Sequence, residues 1–333
     1  MKIGVIGAGS WGTTLADLLA KNGKNVTLWA HESDLVERMR QTRNNDVYLS
    51  GFTLDKNLSF SDDLIEAVSG KEVLLMVSPS QVMRSVVQQA IPHIATGTLL
   101  VSAAKGIENN TLMTMSEMLA EVLPAEKKIR TAFLSGPTFA REVAAEMPTA
   151  LAVASESPET AREVQNIFSC PYFRLYRQDD VIGVELGGSL KNVMALAAGI
   201  TDGLGYGYNT RAALITRGLV EMSRIGAAMG ARESTFYGLA GMGDLVLTCT
   251  GDLSRNRSVG LELGRGRKLT EILLGMKMVA EGVKTTLSAY QLAQKLGVDA
   301  PIIEQMYLIL NKDKDPRLAV SDLMQRELKA ENG

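Results

Sequence analysis

The sequence predicts an α/β fold in which a mostly parallel sheet, within residues 1–178, is followed by an all-α domain, residues 179–333. Apolar strand-like runs alternate with helix-period segments as far as about residue 177, and this alternation is typical of parallel sheets with helices on both faces. Beyond that point the strand signal fades and helical periods dominate. A chain of 333 residues is also long for one hydrophobic core, which favours two domains.

The elements follow in order along the chain. The predicted strands span residues 2–7, 25–30, 72–77, 98–102, 131–135, 149–154 and 172–176. The predicted helices of the second domain span residues 179–203, 208–230, 255–264, 269–275, 283–296, 301–312 and 315–329. No flexible linker separates the two halves, so we expect a rigid pair of domains with a cleft between them. Ligands of such sheets bind beyond the carboxyl ends of the strands, where the loops 78–80, 104–106 and 135–138 fall.

The first strand runs directly into a G-x-G-x-x-G turn, whose glycines are Gly7, Gly9 and Gly12. Gly7 permits the tight turn, Gly9 lets the backbone approach a pyrophosphate, and Gly12 lets the following helix pack closely. An amphipathic helix (13–22) and a second strand follow, and the helix N-terminus favours phosphate groups. This context predicts a Rossmann-type dinucleotide site; a glycine-rich turn without a ligand is the alternative.

The composition narrows the class of protein. Apolar residues make up 46% and charged residues 22% of the chain, with a net charge of −2 and no basic tract, which argues against nucleic acid and anionic membranes as partners. No apolar run is expected to reach membrane-spanning length, and a chain that opens on a strand predicts no signal peptide and a cytoplasmic location. Two distant cysteines and two histidines predict neither a disulfide framework nor a metal site.

Two isolated charges indicate chemistry in the second domain. Lys191 is the only charged residue from 186 to 201, and Asp244 is the only one from 235 to 251, in what reads as a glycine-rich loop. Burial lowers the pKa of a lysine and can make it an acid or base near neutral pH. Asp244 could pair with Lys191, orient it and stabilise its protonated form. The alternatives are a lysine that reaches the domain edge and an aspartate that caps its own turn.

Ser254, Arg255 and Asn256 begin a predicted helix and suit a phosphate group. Arginine offers a planar fork of donors, and the helix start adds N–H groups. An ordinary N-cap with solvated arginines explains the same residues equally well. Lys105, alone in a loop after a strand, is likewise an anion contact or a surface residue.

Taken together, these motifs resemble the bacterial soluble NAD(P)-dependent glycerol-3-phosphate dehydrogenases over the whole chain. The motifs that carry the resemblance are Gly7–Gly12, Ala104–Glu108, Leu134–Ala140, Glu185–Tyr206, Ala212–Gly218, Gly241–Asp244, Ser254–Asn256 and Val279–Gly282. One departure is Tyr208, where the family commonly has an aspartate.

The resemblance implies two sets of site residues. The cofactor residues are Gly7, Gly9, Ser10, Trp11, Gly12, His31, Lys105, Ala140, Arg255, Val279 and Glu281. The substrate residues are Lys105, Gly136, Thr138, Lys191, Asp244, Ser254, Arg255 and Asn256, with Lys191 and Asp244 as the catalytic pair.

The resemblance also implies a reaction: the interconversion of dihydroxyacetone phosphate and sn-glycerol 3-phosphate with NADPH/NADP or NADH/NAD, which supplies phospholipid synthesis. A small-molecule substrate and a homodimer are the expected partners. Because His31 rather than a carboxylate ends the second strand, we predict that NADPH is accepted, in preference to NADH, unless Glu32 turns toward the ribose. A 3-hydroxyacid or 6-phosphogluconate type dehydrogenase and a dinucleotide-sensing regulator are the alternatives.

Overall fold

The fold is built on one mixed sheet. In the computed structural model the described residues are 1–276, 280–328 and 330–331, and within them the sheet has eight strands in the order β3-β2-β1-β4-β5-β6-β7-β8. The strands are β1 Lys2–Ile6, β2 Asn25–Trp29, β3 Leu58–Ser61, β4 Val73–Met76, β5 Leu99–Ser102, β6 Arg130–Ser135, β7 Thr149–Ala154 and β8 Phe173–Gln178. All neighbours pair in parallel except β6 and β7. The predicted fold class is confirmed.

Helices fill the connections of the sheet and most of the second half. Those of the first half are α1 Ser10–Lys21, α2 Ser33–Thr42, α3 Leu64–Val68, α4 Ser80–Ala90, α5 Met115–Val122, α6 Ala140–Ala144 and α7 Pro158–Phe168. Those of the second half are α8 Val181–Gly203, α9 Tyr208–Ala228, α10 Glu233–Phe236, α11 Asp244–Thr250, α12 Arg255–Gly264, α13 Leu269–Leu274, α14 Glu281–Leu296, α15 Pro301–Lys312 and α16 Pro316–Met324.

Three details of the sequence prediction are wrong. The strand β3 was not expected; its four residues alternate apolar and serine side chains as a strand does, but the segment is too short for this pattern to stand out. The predicted helix 315–329 stops at Met324, and residue 329 lies outside the described residues. The expected glycine-rich loop around Asp244 is a π-helical turn, Leu239–Gly243, that leads directly into α11.

The reversed strand β7 decides where α8 starts. Since β7 runs against β6, and β8 runs with β7, the end of β8 lies at the sheet edge opposite the carboxyl ends of β1, β4, β5 and β6. Helix α8 therefore begins at the far edge and runs back along the sheet. Its Gly188 reaches Ser135 at the end of β6, where an added Cβ would overlap the Ser135 hydroxyl. The middle of α8 therefore lies at the crevice edge of the sheet.

Helix α8 belongs to two hydrophobic cores. Val181 and Val184 pack in the core on one sheet face, whereas the side chains from Leu186 onward pack in the core of the helical half. The helix is long and apolar enough to cross a membrane, so the expectation that no apolar run reaches that length is wrong. Its most apolar window is 94% buried inside the structure, as in the core helix of a soluble protein. The division into domains 1–178 and 179–333 stays a prediction.

Candidate active site

A cleft of about 980 Å³ lies between the crevice edge of the sheet and the helices of the second half. Loops that follow β1, β4 and β5 form one wall, and α8, α11 and α12 contribute to the other. The cleft gathers residues that the sequence predicts for both cofactor and substrate. Those that line it are Gly7, Gly9, Ser10, Trp11, Gly12, His31, Lys105, Thr138, Ala140, Lys191, Asp244, Ser254, Arg255, Asn256 and Glu281.

The glycine turn is shaped as its spacing predicts. Gly7 has a φ of +121°, which side chains rarely adopt. A Cβ at Gly12 would overlap the Gly7 carbonyl oxygen, so this glycine lets α1 pack against the turn. Around Gly9, by contrast, a Cβ would meet nothing within 4 Å, because this residue faces the cleft. The turn is therefore closed on the protein side and open on the ligand side, which fits a dinucleotide pyrophosphate.

Lys191 and Asp244 form a buried ion pair, as the sequence predicts. Their side chains are 8% and 1% exposed, and the Lys191 ammonium donates to Asp244 Oδ1. Lys105 Nζ donates to the other carboxylate oxygen of Asp244 at 2.6 Å and to the Gly136 carbonyl at 3.0 Å. Asp244 thus joins two cations, one from α8 and one from the loop after β5, across the base of the cleft.

The pKa of Lys191 is poised near neutrality. Burial lowers the pKa most, the Asp244 carboxylate opposes this effect, the neighbouring charge of Lys105 adds to it, and the resulting pKa is about 8. The ammonium also donates to Thr248 Oγ1 at 2.8 Å. The Thr248 hydroxyl in turn donates to the Asp244 main-chain carbonyl at 2.6 Å. Lys191 is therefore fixed in place and can exist in either protonation state near physiological pH.

The segment 254–256 forms the opposite wall of the substrate end. Ser254 is the N-cap of α12, where its hydroxyl accepts from the Arg257 N–H at 3.3 Å, and it also lines the cleft. Asn256 is buried; its amide donates to Asn192 Oδ1 at 2.9 Å and accepts from the Gly282 N–H at 3.0 Å. Arg255 is exposed on the cleft side, which leaves its guanidinium available to a ligand.

The other predicted substrate residues lie beside Lys105. Gly136 is not in the cleft lining itself, but its carbonyl accepts from both Lys105 and, at 3.1 Å, the Thr138 hydroxyl. Val279 lies outside the described residues. Glu281 starts α14, and its carboxylate accepts from the Ser80 hydroxyl at 3.2 Å.

The far end of the cleft carries His31, Glu32 and Tyr48. The Tyr48 hydroxyl donates to Glu32 Oε1 at 3.0 Å, and the Tyr48 carbonyl accepts from the Ser10 hydroxyl at 2.5 Å. Ala140 faces the same cleft, and its carbonyl accepts from Thr14 at 3.2 Å. A carboxylate therefore lies beside His31, next to the end of β2, where the ribose of a dinucleotide is read in this fold.

Three site residues escape the sequence reasoning. Thr248 and Asn192 are neutral residues whose roles appear only from their contacts with Lys191 and Asn256. The i,i+4 spacing from Asp244 could have revealed Thr248 had α11 been recognised. Tyr48 sits in an irregular segment far from the glycine turn in sequence.

Tyr208, the departure from the family pattern, is 83% exposed, with the Arg211 guanidinium 5.5 Å from its ring centroid.

Comparisons with known proteins agree with this geometry. The family model described as NAD-dependent glycerol-3-phosphate dehydrogenase N-terminus matches residues 2–161, and the corresponding C-terminus model matches residues 180–321. Glycerol-3-phosphate dehydrogenase [NAD(P)+] of Syntrophotalea carbinolica is 74% identical over 99% of both chains, and that of Citrifermentans bemidjiense is 62% identical over 99% of this chain and 98% of its own. The crystal structure of glycerol-3-phosphate dehydrogenase from Coxiella burnetii superposes with a TM-score of 0.92 at 41% identity, covering 98% of this chain and 99% of the other. The chain therefore belongs to the NAD-dependent glycerol-3-phosphate dehydrogenase family.

Proposed function

We propose that this chain is an NAD(P)-dependent oxidoreductase that interconverts dihydroxyacetone phosphate and sn-glycerol 3-phosphate. The observation that carries the proposal is the Lys191–Asp244 pair, buried at the base of the same cleft that the glycine turn lines. A general acid beside a dinucleotide site suits the reduction of a ketone, and family membership supports this substrate.

The cofactor fits the open side of the glycine turn. When bound, the dinucleotide supplies or accepts the hydride at substrate C2. The chain's part is to hold it through backbone N–H groups at the start of α1. The proposed cofactor residues within the described chain are Gly7, Gly9, Ser10, Trp11, Gly12, His31, Lys105, Ala140, Arg255 and Glu281.

Lys191 moves the proton of the reaction. In the direction of ketone reduction its ammonium donates a proton to the oxygen on substrate C2, and in the reverse direction the neutral amine takes that proton back. A pKa of about 8 makes both forms accessible near neutral pH. Asp244 and Thr248 keep the amine in one position through their hydrogen bonds, so that little reorganisation accompanies the transfer.

Arg255 and Asn256 bind the phosphate group of the substrate. The exposed guanidinium offers a bidentate, charge-assisted contact, and the Asn256 amide has a second N–H besides the one given to Asn192. Lys105, Gly136, Thr138 and Ser254 complete the proposed substrate pocket. Binding energy gained at the phosphate then orients the carbonyl toward Lys191.

We further propose that the reaction supplies glycerol 3-phosphate to phospholipid synthesis. A cytoplasmic location and a homodimer stay predictions, and light scattering on the purified protein tests the second. The preference for NADPH over NADH also stays a prediction.

A substrate panel tests the proposed function. The purified protein is assayed by the absorbance of the reduced nicotinamide with NADPH and with NADH. The candidate substrates are dihydroxyacetone phosphate, dihydroxyacetone and a set of 3-oxoacids with the reduced cofactors, and 6-phosphogluconate with NADP+ or NAD+ as the hydride acceptor. We expect efficient turnover of dihydroxyacetone phosphate alone. Preferred turnover of a 3-oxoacid or of 6-phosphogluconate would instead support the rival dehydrogenases, and cofactor binding without any turnover would support a sensor.

A further inference from the structure

A charged cluster outside the cleft holds both ends of the segment Leu253–Asn256. Arg257, which follows this segment, donates from Nη1 to Asp252 Oδ1 at 2.9 Å, and Asp252 precedes it. The same guanidinium donates from Nε to Asp202 Oδ2 at 2.9 Å. Since Asp202 lies in the last turn of α8, one side chain ties the start and the end of the segment to that helix.

Asp202 is the buried centre of the cluster. Its side chain is only 8% exposed, and Arg211 from α9 donates to its Oδ1 from Nε at 3.0 Å and from Nη2 at 2.5 Å. A buried carboxylate is unfavourable unless it is paired and hydrogen-bonded, and here two guanidinium groups satisfy it from two helices. The outer face of Arg211 lies against the Tyr208 ring. Asp202, Arg211, Asp252 and Arg257 together form a clamp, the Asp202 clamp.

The axis of α12 does not need this clamp. Its Gly260 packs directly on α8, where a Cβ would overlap the Leu196 carbonyl oxygen, and Gly199 of α8 approaches the Arg257 carbonyl equally closely. The turn that precedes α12 has no such backbone contact to α8 through glycine. Asn256 is held separately by Asn192 and Gly282, whereas Arg255 is exposed. Arg255 is the first residue of α12, and Arg257 in the same first turn joins that turn to Asp202 of α8 and to Asp252 of the preceding turn.

We propose that Asp202 and Arg257 are positioning residues for the phosphate group of the substrate. They act through the segment 253–256 and do not touch the substrate, because the cleft lining of the described chain includes Ser254, Arg255 and Asn256 but neither member of the pair. The inference rests on the proposed function, in which Arg255 and Asn256 bind phosphate. It adds a requirement that Arg255 be pre-oriented from outside the cleft.

The first test is Asp202→Asn, which keeps the shape and removes the charge. We expect the KM for dihydroxyacetone phosphate to rise about 10-fold with kcat changed less than about 3-fold, since the lost contact serves binding throughout the reaction. The kcat/KM for unphosphorylated dihydroxyacetone should stay within about 2-fold of wild type, because that substrate lacks the phosphate contact. In an Arg255→Ala background the same substitution should raise the KM less than about 2-fold, because the side chain that Asp202 positions is already absent and the effects of coupled residues do not add.

Two further variants make the test independent of folding. Asp252→Asn removes a carboxylate that is 96% exposed, so the protein should fold, and we expect a KM rise of about 2- to 3-fold for the phosphorylated substrate alone. Glu262→Gln is the matched control, since Glu262 pairs with Arg265 and Arg267 at the other end of α12 and should leave every constant unchanged.

The outcomes separate the two proposals. An inactive wild-type protein with dihydroxyacetone phosphate overturns the proposed function and this inference with it. An active wild-type protein whose Asp202→Asn and Asp252→Asn variants keep the wild-type KM overturns the positioning role alone. Equal losses with the phosphorylated and unphosphorylated substrates also overturn it, because they show a general structural defect.

Discussion

Replacing Lys191 by methionine tests the proton transfer most directly. Methionine keeps the length of the side chain and removes the amine. General acid catalysis contributes about 10²- to 10⁴-fold to a rate. At about 1.4 kcal/mol for each factor of ten, the barrier should rise by about 3–5 kcal/mol, and turnover should fall at least 100-fold or so.

The fold should survive this change, because Asp244 keeps a second partner. Lys105 Nζ lies 2.6 Å from Asp244 Oδ2, so the buried carboxylate is not left without a counter-charge. An uncompensated buried charge would cost about 3–5 kcal/mol, whereas a lost hydrogen bond to a charged group costs about 1.5–3 kcal/mol. We therefore expect a moderately less stable protein that still binds NADPH. Denaturant unfolding and fluorescence titration measure both properties.

The pH dependence provides a second readout of the same group. Because burial lowers the pKa of Lys191 to about 8, the protonated donor predominates below pH 8 and is lost above it. The kcat for ketone reduction should therefore fall as pH rises through about 8, and the kcat for glycerol phosphate oxidation should rise over the same range. In the Lys191→Met variant the residual rate should lack this inflection.

Lys71→Met is the matched control for Lys191→Met. Lys71 donates to Thr27 at 2.8 Å outside the cleft, and burial also lowers its pKa. Its replacement should leave turnover within about 2-fold of wild type, as expected for a lysine remote from the chemistry. Near-normal turnover in a folded, cofactor-binding Lys191→Met protein, or an inflection that persists near pH 8, would refute the assignment of Lys191 as the acid.

Four other substitutions probe the two ends of the cleft. Arg255→Ala should lower kcat/KM for dihydroxyacetone phosphate by a factor that corresponds to about 1.5–3 kcal/mol, and it should leave kcat/KM for unphosphorylated dihydroxyacetone unchanged. Equal losses for the two substrates would mean that Arg255 acts on the cofactor or on folding. Gly9→Ala should keep the wild-type Tm and weaken NADPH binding, because the added Cβ enters the open cleft. Gly12→Ala should lower the Tm, because the added Cβ overlaps the Gly7 carbonyl oxygen. The reverse pattern would contradict the roles assigned to the two glycines. Glu32→Gln should raise kcat/KM with NADPH relative to NADH, since it removes the carboxylate beside the ribose site, and an unchanged ratio would show that Glu32 does not read the ribose.

Much of the fold follows from local patterns. The buried strands β1, β4 and β5 are largely apolar runs, and the glycine spacing that begins at Gly7 favours the turn of a dinucleotide site. The edge strand β3 and the π-helical turn before Asp244 lack such signals, because short polar-interrupted segments take their structure from tertiary contacts.

The charged residues of the site could be predicted from the sequence, whereas most of the hydrogen bonds between the site residues could not. The isolation of Lys191 and Asp244 in apolar sequence predicts their pairing, which the structure confirms. That Lys105 shares the same carboxylate does not follow from sequence, because its loop and α11 are far apart along the chain and meet only in the tertiary structure. Thr248 and Asn192 carry no charge and so give no comparable signal.

The course of α8 limits how this enzyme can be recombined. Because the helix contributes Val181 and Val184 to the core of the sheet and its later side chains to the core of the helical half, a chimera joined near residue 178 would have to match two unrelated interiors at once. Its start at the far edge of the sheet also brings Lys191, in the middle of the helix, to the cleft that the glycine turn lines. A chimera that exchanges cofactor domains between relatives must therefore include α8 together with the sheet. The proton donor Lys191 then comes from the same parent as the nucleotide-binding half.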